Sequence, residues 1–169
     1  MKKIAALVVL CLASCMLYAQ ATTTISYTAE NKVLLNKVEL SNATTLSEIK
    51  EILGEPEVYK EYPTGKVNYH YNDLGIAVHT VNDQLLFLGV NLNWDGDENF
   101  PQQPYEGAVL FDEVKVDAQT TRETITTLEV VAIVCPLPDI CITKDREATT
   151  AILIGFKDNI ISQVGFEFH

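Results

Sequence analysis

The chain has 169 residues, a formal charge of −11 at pH 7 and a hydrophobic content of 47%. This much apolar sequence can bury a substantial core. The acidic charge has the wrong sign for binding a phosphate backbone, and no Lys/Arg cluster offsets it, so we expect no nucleic-acid partner. The acidity favours solubility, and a field that steers a basic partner is the alternative interpretation.

The N-terminal residues predict export. A short basic start is followed by an apolar run over residues 4–17 and by small residues around Ala19. This layout is typical of a secretory signal peptide, and the run is shorter than the about 20 residues that span a bilayer. We therefore predict a signal peptide over residues 1–19 and a mature chain that begins at Gln20, in the periplasm or secreted.

The same segment contains an alternative exit. Leu12-Ala13-Ser14-Cys15 resembles a lipobox, after which Cys15 would be lipidated and would anchor the chain to the envelope. No second apolar run of spanning length follows, so the mature chain is expected to have no transmembrane segment. Membrane attachment is expected only if Cys15 is lipidated.

The first half of the mature chain predicts short strands, one helix and a meander. Residues 23–28, 33–35 and 38–40 are rich in β-branched and apolar residues, which is typical of strands. Leu46, Ile49 and Ile52 then fall on one helical face, Thr45 to Glu48 fits a capping box, and Gly54 ends the helix. Four strands are predicted after it as an antiparallel meander, at 58–62, 67–71, 76–81 and 85–92.

A polar segment over residues 94–107 separates the two halves, and a linker and a binding loop are both open interpretations. Its side chains fill EF-hand positions 1, 3, 5, 9 and 12, but Phe100 stands where the calcium loop needs Gly. We therefore predict a solvated acidic loop and no metal site. The ligand-like positions are Asp95, Asp97, Asn99, Gln103 and Glu106.

The second half repeats the first at a separation of 76 residues. Residues 32–52 align without a gap with residues 108–128, and six of the 21 pairs are identical. Residues 88–92 likewise match 164–168. A fixed internal period indicates one supersecondary unit used twice. We predict an α+β fold of two tandem units, residues 20–93 and 108–169. The second unit has strands at 109–111, 114–116, 130–134, 148–156 and 160–168 and a helix near 121–128.

Cys135 and Cys141 are the cysteines that remain after residue 20, and they bracket a Pro-rich stretch. In an oxidising compartment such near neighbours predict a disulfide, and free thiols are the alternative. Their spacing is not that of a Cys-x-x-Cys redox motif, and the sequence has no second ligand pair for zinc.

Ile52-Leu53-Gly54-Glu55-Pro56 and Tyr69-His70-Tyr71-Asn72-Asp73-Leu74-Gly75-Ile76 carry a family resemblance. Together they resemble an uncharacterised family of bacterial envelope domains. More loosely, the helix and its exit are similar to the SmpA/OmlA family of barrel-assembly accessory lipoproteins, and the tandem arrangement is similar to β-lactamase inhibitory protein. The similarity to the inhibitory protein implies a secreted binder without catalytic activity, but these resemblances support the fold more than the function. No functional residue is carried over, since the second unit lacks the Gly-x-Pro exit and the inhibitor-like cysteine pattern is absent.

No catalytic motif is found. His70, His79 and His169 are not spaced as metal or catalytic pairs. Tyrosines at 59, 62, 69 and 71 predict sheet packing, with a ligand platform as the alternative. We therefore expect a non-enzymatic protein–protein interaction module of the periplasm or envelope, with an unknown partner and no cofactor. The alternatives are a small-ligand binder that uses the cleft between the units and an unrecognised hydrolase.

Overall fold

The computed structural model describes residues 23–145 and 148–169, so the predicted signal peptide, Cys15 and the predicted start at Gln20 lie outside the described residues. The described chain is an α+β fold dominated by two β-sheets. Among the described residues no helix is both long and apolar enough to cross a membrane.

The smaller sheet has five strands in the order β3-β2-β1-β8-β9. It is built from two hairpins on either side of β1, which pairs antiparallel with β2 and parallel with β8. The parallel pair joins residues more than 80 positions apart, so the first and second halves of the chain meet here. The strands are β1 Thr24–Tyr27, β2 Val33–Leu35, β3 Val38–Leu40, β8 Ala108–Phe111 and β9 Val114–Val116.

The larger sheet has eight strands in the order β10-β11-β12-β13-β7-β6-β5-β4. Each half of the chain contributes an antiparallel meander of four strands, and the last strands of the two meanders, β7 and β13, pair antiparallel at the centre. The first-half strands are β4 Glu57–Glu61, β5 Lys66–Tyr71, β6 Ile76–Val81 and β7 Gln84–Asn91. The second-half strands are β10 Ile133–Leu137, β11 Ile140–Thr143, β12 Thr150–Lys157 and β13 Ile160–Phe168.

One hydrophobic core joins both sheets and both helices. Tyr27 and Phe111 of the five-stranded sheet contact Phe166 of the eight-stranded sheet, with ring centroids 6.4 and 6.1 Å apart. Ile49 and Ile125, one from each helix, are fully buried in the same core. Burial of such side chains is worth about 1.5–3 kcal/mol each and is the main stabilising contribution.

The two helices begin 76 residues apart in the sequence but differ in length and in their ends. Helix α1, Leu46–Leu53, begins at the expected capping box: the Thr45 side chain accepts from the Glu48 backbone and Glu48 accepts from the Thr45 backbone. It ends at Gly54, whose positive φ of 87° suits glycine. Helix α2, Arg122–Thr126, is shorter than the predicted 121–128, because no side chain caps its start and the threonines at 124, 126 and 127 are poor helix formers.

The strand predicted at 130–134 was misplaced. The structure has bends over residues 129–131, and β10 begins at Ile133 and runs through Pro136 to Leu137. The sheet tolerates Pro136 because β10 is its outer strand and its pairing with β11 is irregular between Val134 and Leu137, so the missing N–H costs no regular ladder hydrogen bond.

Cys135 and Cys141 form a disulfide with Cα atoms 4.0 Å apart. The bridge crosses the β10–β11 hairpin, whose turn lies at Pro138-Asp139. The predicted bond is therefore present, and it closes the outer hairpin of the eight-stranded sheet.

Candidate functional site

A cleft of about 550 Å³ lies between the β4–β5 hairpin and the loop that follows β7. We call it the Trp94 cleft. Its volume is within the about 300–1,000 Å³ that ligand sites occupy. The side chains that carry the argument below are Glu57, Tyr59, His70, Trp94, Glu98 and Phe100.

Two asparagines fix the start and the end of the loop after β7, which forms one wall of the Trp94 cleft. The Asn91 side chain is buried and donates to the carbonyl oxygens of Pro101, Gln102 and Gln103 at 2.9–3.2 Å. Beyond β7, Asn93 donates to two further carbonyl oxygens, each at 2.8 Å. Because both anchors are tied to the sheet, the intervening segment with Trp94 is held in place against it.

Phe100 packs the loop onto the sheet at a glycine. A Cβ on Gly89 would lie 2.7 Å from the Phe100 ring, so only glycine permits this close approach. Phe100 also meets Phe87 edge-on, with ring centroids 5.9 Å apart. The loop therefore closes one side of the cleft with an aromatic wall.

The opposite wall is an aromatic stack on the β4–β5 hairpin. Tyr59 lies parallel to His70 with ring centroids 4.2 Å apart. Tyr59 is the extra residue of a β-bulge, since Val58 pairs with Tyr69 and Lys60 with Asn68. Bulges re-aim side chains and are common beside binding sites. The tyrosine thus presents its ring to the cleft while remaining 42% exposed.

His70 contributes a neutral ring to this stack. Its Nε2 donates to the Asn99 carbonyl oxygen at 3.1 Å, which requires the tautomer protonated at Nε2. Burial lowers the pKa of His70, and this effect outweighs the opposing influences of that hydrogen bond and of Glu57. At pH 7 His70 therefore joins the loop to β5 without adding a positive charge.

The charged groups of the cleft are acidic. The described lining includes the carboxylates of Glu57 and Glu98 and neither lysine nor arginine. Glu57 is positioned by Asn72, whose side-chain amide donates to it at 2.7 Å. Aromatic faces with carboxylates nearby attract cations, and no positive lining group competes for the carboxylates.

Of the EF-hand-like positions, Gln103 lines the Trp94 cleft, and other groups singled out in the sequence lie outside its lining. The disulfide is on the far edge of the eight-stranded sheet from β4. Asp95 and Asp97 accept hydrogen bonds from the backbone two residues on, at 3.0 and 2.9 Å, and so cap local turns. In residues 23–145 and 148–169 no group of three His, Cys, Asp or Glu side chains is placed to hold a metal ion.

The tyrosines at 59, 62, 69 and 71, for which sheet packing and a ligand platform were the two interpretations, do not all have the same surroundings. Tyr71 is buried in the core and Tyr69 packs against it, as predicted for sheet packing. Tyr59 instead lines the cleft. Sequence reasoning missed Trp94, Glu98 and Phe100 as parts of one site, although a lone tryptophan beside a polar loop was an available signal.

The fold and the cleft define an α+β protein with two sheets and an open aromatic–acidic site. The chain belongs to the DUF7738 family, a domain of unknown function, which matches residues 24–126. This confirms the expected membership of a family of uncharacterised domains. A DUF4309 family protein, YjgB, from Bacillus subtilis is a similar solved structure, with a TM-score of 0.40 and 16% identity over 76% of this chain and 81% of that one. No curated protein matches the chain. These findings give no specific support to the SmpA/OmlA or β-lactamase inhibitory protein resemblance.

Proposed function

We propose that the protein is an exported, non-enzymatic protein–protein interaction module that binds its partner at the Trp94 cleft. The observation that carries the proposal is the exposure of large apolar side chains around one concave site. Trp94 is 43% exposed, Tyr59 42% and Val58 55%. Aromatic residues in such positions are the usual anchors of protein interfaces.

The position of the cleft at a sheet edge supports a polypeptide ligand. Strand β4 is the outer strand of the eight-stranded sheet, and all five of its residues are exposed. Its outer backbone groups face away from β5 and can pair with an added strand. Lys60 and Glu61 and the bulge at Tyr59 limit such pairing to a short segment, which protects the edge from aggregation.

A small-ligand binder is the second candidate, and the volume of the cleft favours it. The two functions predict different behaviour. A small ligand would copurify with the folded protein when no other protein is present. A protein partner would copurify through surface contacts, and single substitutions in those contacts would remove it.

The test is affinity purification from the native envelope with matched variants. Trp94→Ala and Tyr59→Ala should each lose the partner. Val114→Ala, which removes a side chain of 42% exposure from strand β9 of the other sheet, should retain it. The captured protein should bind again when both proteins are purified. A partner that binds Trp94→Ala as well as the wild type would refute binding at this cleft.

Export is part of the same proposal, supported by the leader-like first 19 residues and by the disulfide. Intact-mass analysis of the protein from the periplasmic fraction should give a chain that begins at Gln20. A lipidated N-terminal Cys15 would instead establish the envelope-anchored form.

We further propose that the chain consists of two copies of one structural unit. Two backbone hydrogen bonds are related by the 76-residue separation of the sequence repeat. The Leu85 N–H donates to the Thr44 carbonyl oxygen at 2.8 Å, and the Ile161 N–H donates to the Thr120 carbonyl oxygen at 3.0 Å. The isolated bridges Thr45–Gln84 and Thr121–Ile160 keep the same offset. These contacts support equivalent helix starts and strand starts in the two halves.

The central strand pair supports the same proposal. Gly89 of β7 lies opposite Gly165 of β13, and these residues are 76 positions apart. Equivalent residues that face each other across an antiparallel pair lie on a local two-fold axis. Strand β1 lacks a counterpart, since positions 100–103 belong to the loop and not to a strand. A structure-based superposition of residues 32–92 on 108–168 tests the relation.

A further inference from the structure

Building on the proposed function, we infer that the Trp94 cleft receives the cationic side chain of a lysine or arginine, carried by an extended segment of the protein partner. Three features of the cleft favour such a side chain: the charge of its lining, the arrangement of its rings and the strand edge beside it.

Charge complementarity is the first step. Glu57 and Glu98 line the same cleft, the described lining has no cationic side chain, and His70 is neutral at pH 7. The chain as a whole carries −11, so the long-range field also attracts a basic segment. A carboxylate on the partner would meet repulsion at every charged group of this site.

The rings provide the second step. The outer faces of Tyr59 and Trp94 are available because both side chains are more than 40% exposed. The inner face of Tyr59 is covered by His70, which fixes the orientation of its ring. An ammonium or guanidinium group binds over such faces while its methylene stem covers apolar surface.

The edge strand provides the third step, because it distinguishes a polypeptide from a free small cation. Glu57, Val58 and Tyr59 are consecutive residues of β4 and all line the cleft. A segment that pairs with the outer side of β4 would therefore run along the mouth of the cleft. Its side chains then reach the rings and carboxylates from a fixed backbone position.

The chain contains its own site-specific probe, since Trp94 is its only tryptophan. The experiment titrates the purified protein with short blocked Ser/Gly peptides that differ in one central residue: lysine, arginine, norleucine or glutamate. Tryptophan emission, excited where tyrosine does not absorb, reports on the cleft directly. The lysine and arginine peptides should give saturable shifts, and the norleucine and glutamate peptides should bind about tenfold more weakly or worse.

Matched variants locate the contact. Glu98→Gln and Glu57→Gln should each weaken lysine-peptide binding by about tenfold, because a charged hydrogen-bond acceptor is replaced by a neutral one. Glu57→Gln keeps an oxygen for the Asn72 amide and so preserves the local structure. Val114→Ala should bind like the wild type. The wild-type affinity should fall as salt rises.

Three results would overturn the inference. Equal binding of the norleucine and lysine peptides would show an apolar groove without charge selection. Tetramethylammonium binding as tightly as the lysine peptide would show a site for free cations. The absence of any saturable change with the basic peptides would show that the cleft does not take them. If partner capture still depends on Trp94 in that last case, the proposed function stands and only the cation selectivity is wrong.

Discussion

Replacing His79 removes an ionisable ring that the fold keeps neutral. The side chain is 8% exposed and stacks on Phe87 with ring centroids 4.8 Å apart. Burial is the main cause that lowers the pKa of His79 to about 3, and the positive charges of Lys66 and of protonated His70 lower it further, against a smaller opposing influence of Asp97. This residue should therefore make the stability of the protein sensitive to acid.

The sign and size follow from proton binding in the two states. In the unfolded chain a histidine binds a proton below about pH 6.5. In the folded protein His79 binds one only below about pH 3. The unfolded state therefore holds more protons throughout this window, and the free energy of unfolding falls as the pH falls. From pH 7 to pH 4 the loss from His79 should be about 3 kcal/mol, at about 1.4 kcal/mol for each unit below pH 6.5.

Urea unfolding at pH 7, 6, 5 and 4 measures this loss. The wild type is compared with His79→Phe, which keeps an aromatic ring against Phe87, and with His79→Gln. Subtracting the free energy of unfolding of the variant from that of the wild type at each pH cancels the contribution of the carboxylates that both proteins share. The difference should change by about 3 kcal/mol across the series, in the direction that makes both variants relatively more stable in acid. A difference that stays constant from pH 7 to pH 4 would refute the reasoning.

Three further comparisons between variants test the fold. Thr45→Ala should cost about 1 kcal/mol because it removes the helix cap, whereas Thr121→Ala, at a start without a side-chain cap, should cost less than half as much by urea unfolding. Cys135→Ser should lower the free energy of unfolding by about 2 kcal/mol, and a reductant should then destabilise the wild type but not the variant. Gly165→Ala should lower the free energy of unfolding by about 1–3 kcal/mol, since the new Cβ would lie 2.4 Å from the Phe87 ring. In a protein that already carries Phe87→Ala, the same substitution should no longer destabilise.

Local structure was predictable where one residue type determines the backbone. The capping residues Thr45 and Glu48 and the stop at Gly54 located α1 correctly, and short runs of apolar and β-branched residues located the hairpins β2–β3 and β8–β9. The disulfide was predicted from the spacing of the two cysteines and from the export that the sequence predicts. These features depend on contacts within a few residues, which a sequence pattern contains.

Long-range pairing was not predictable in the same way. Nothing in the period of the strands indicates that β1 inserts between two hairpins or that β7 pairs with β13. The Trp94 cleft depends on the same kind of information: Asn91 binds carbonyl groups of a loop ten residues later, and Phe100 rests on Gly89. An asparagine and a glycine in a strand pattern do not reveal what they contact.

The pairing of β7 with β13 affects what can be removed from the molecule. If the chain were cut after residue 93, β7 would become an open edge with the apolar residues Leu88 and Val90 of its core face uncovered. Strand β1 would lose β8 at the same time. A long apolar edge invites pairing with any other chain. We therefore expect the first half, expressed alone, to aggregate or to pair with a second copy through β7, and its solubility to depend on the presence of residues 108–169.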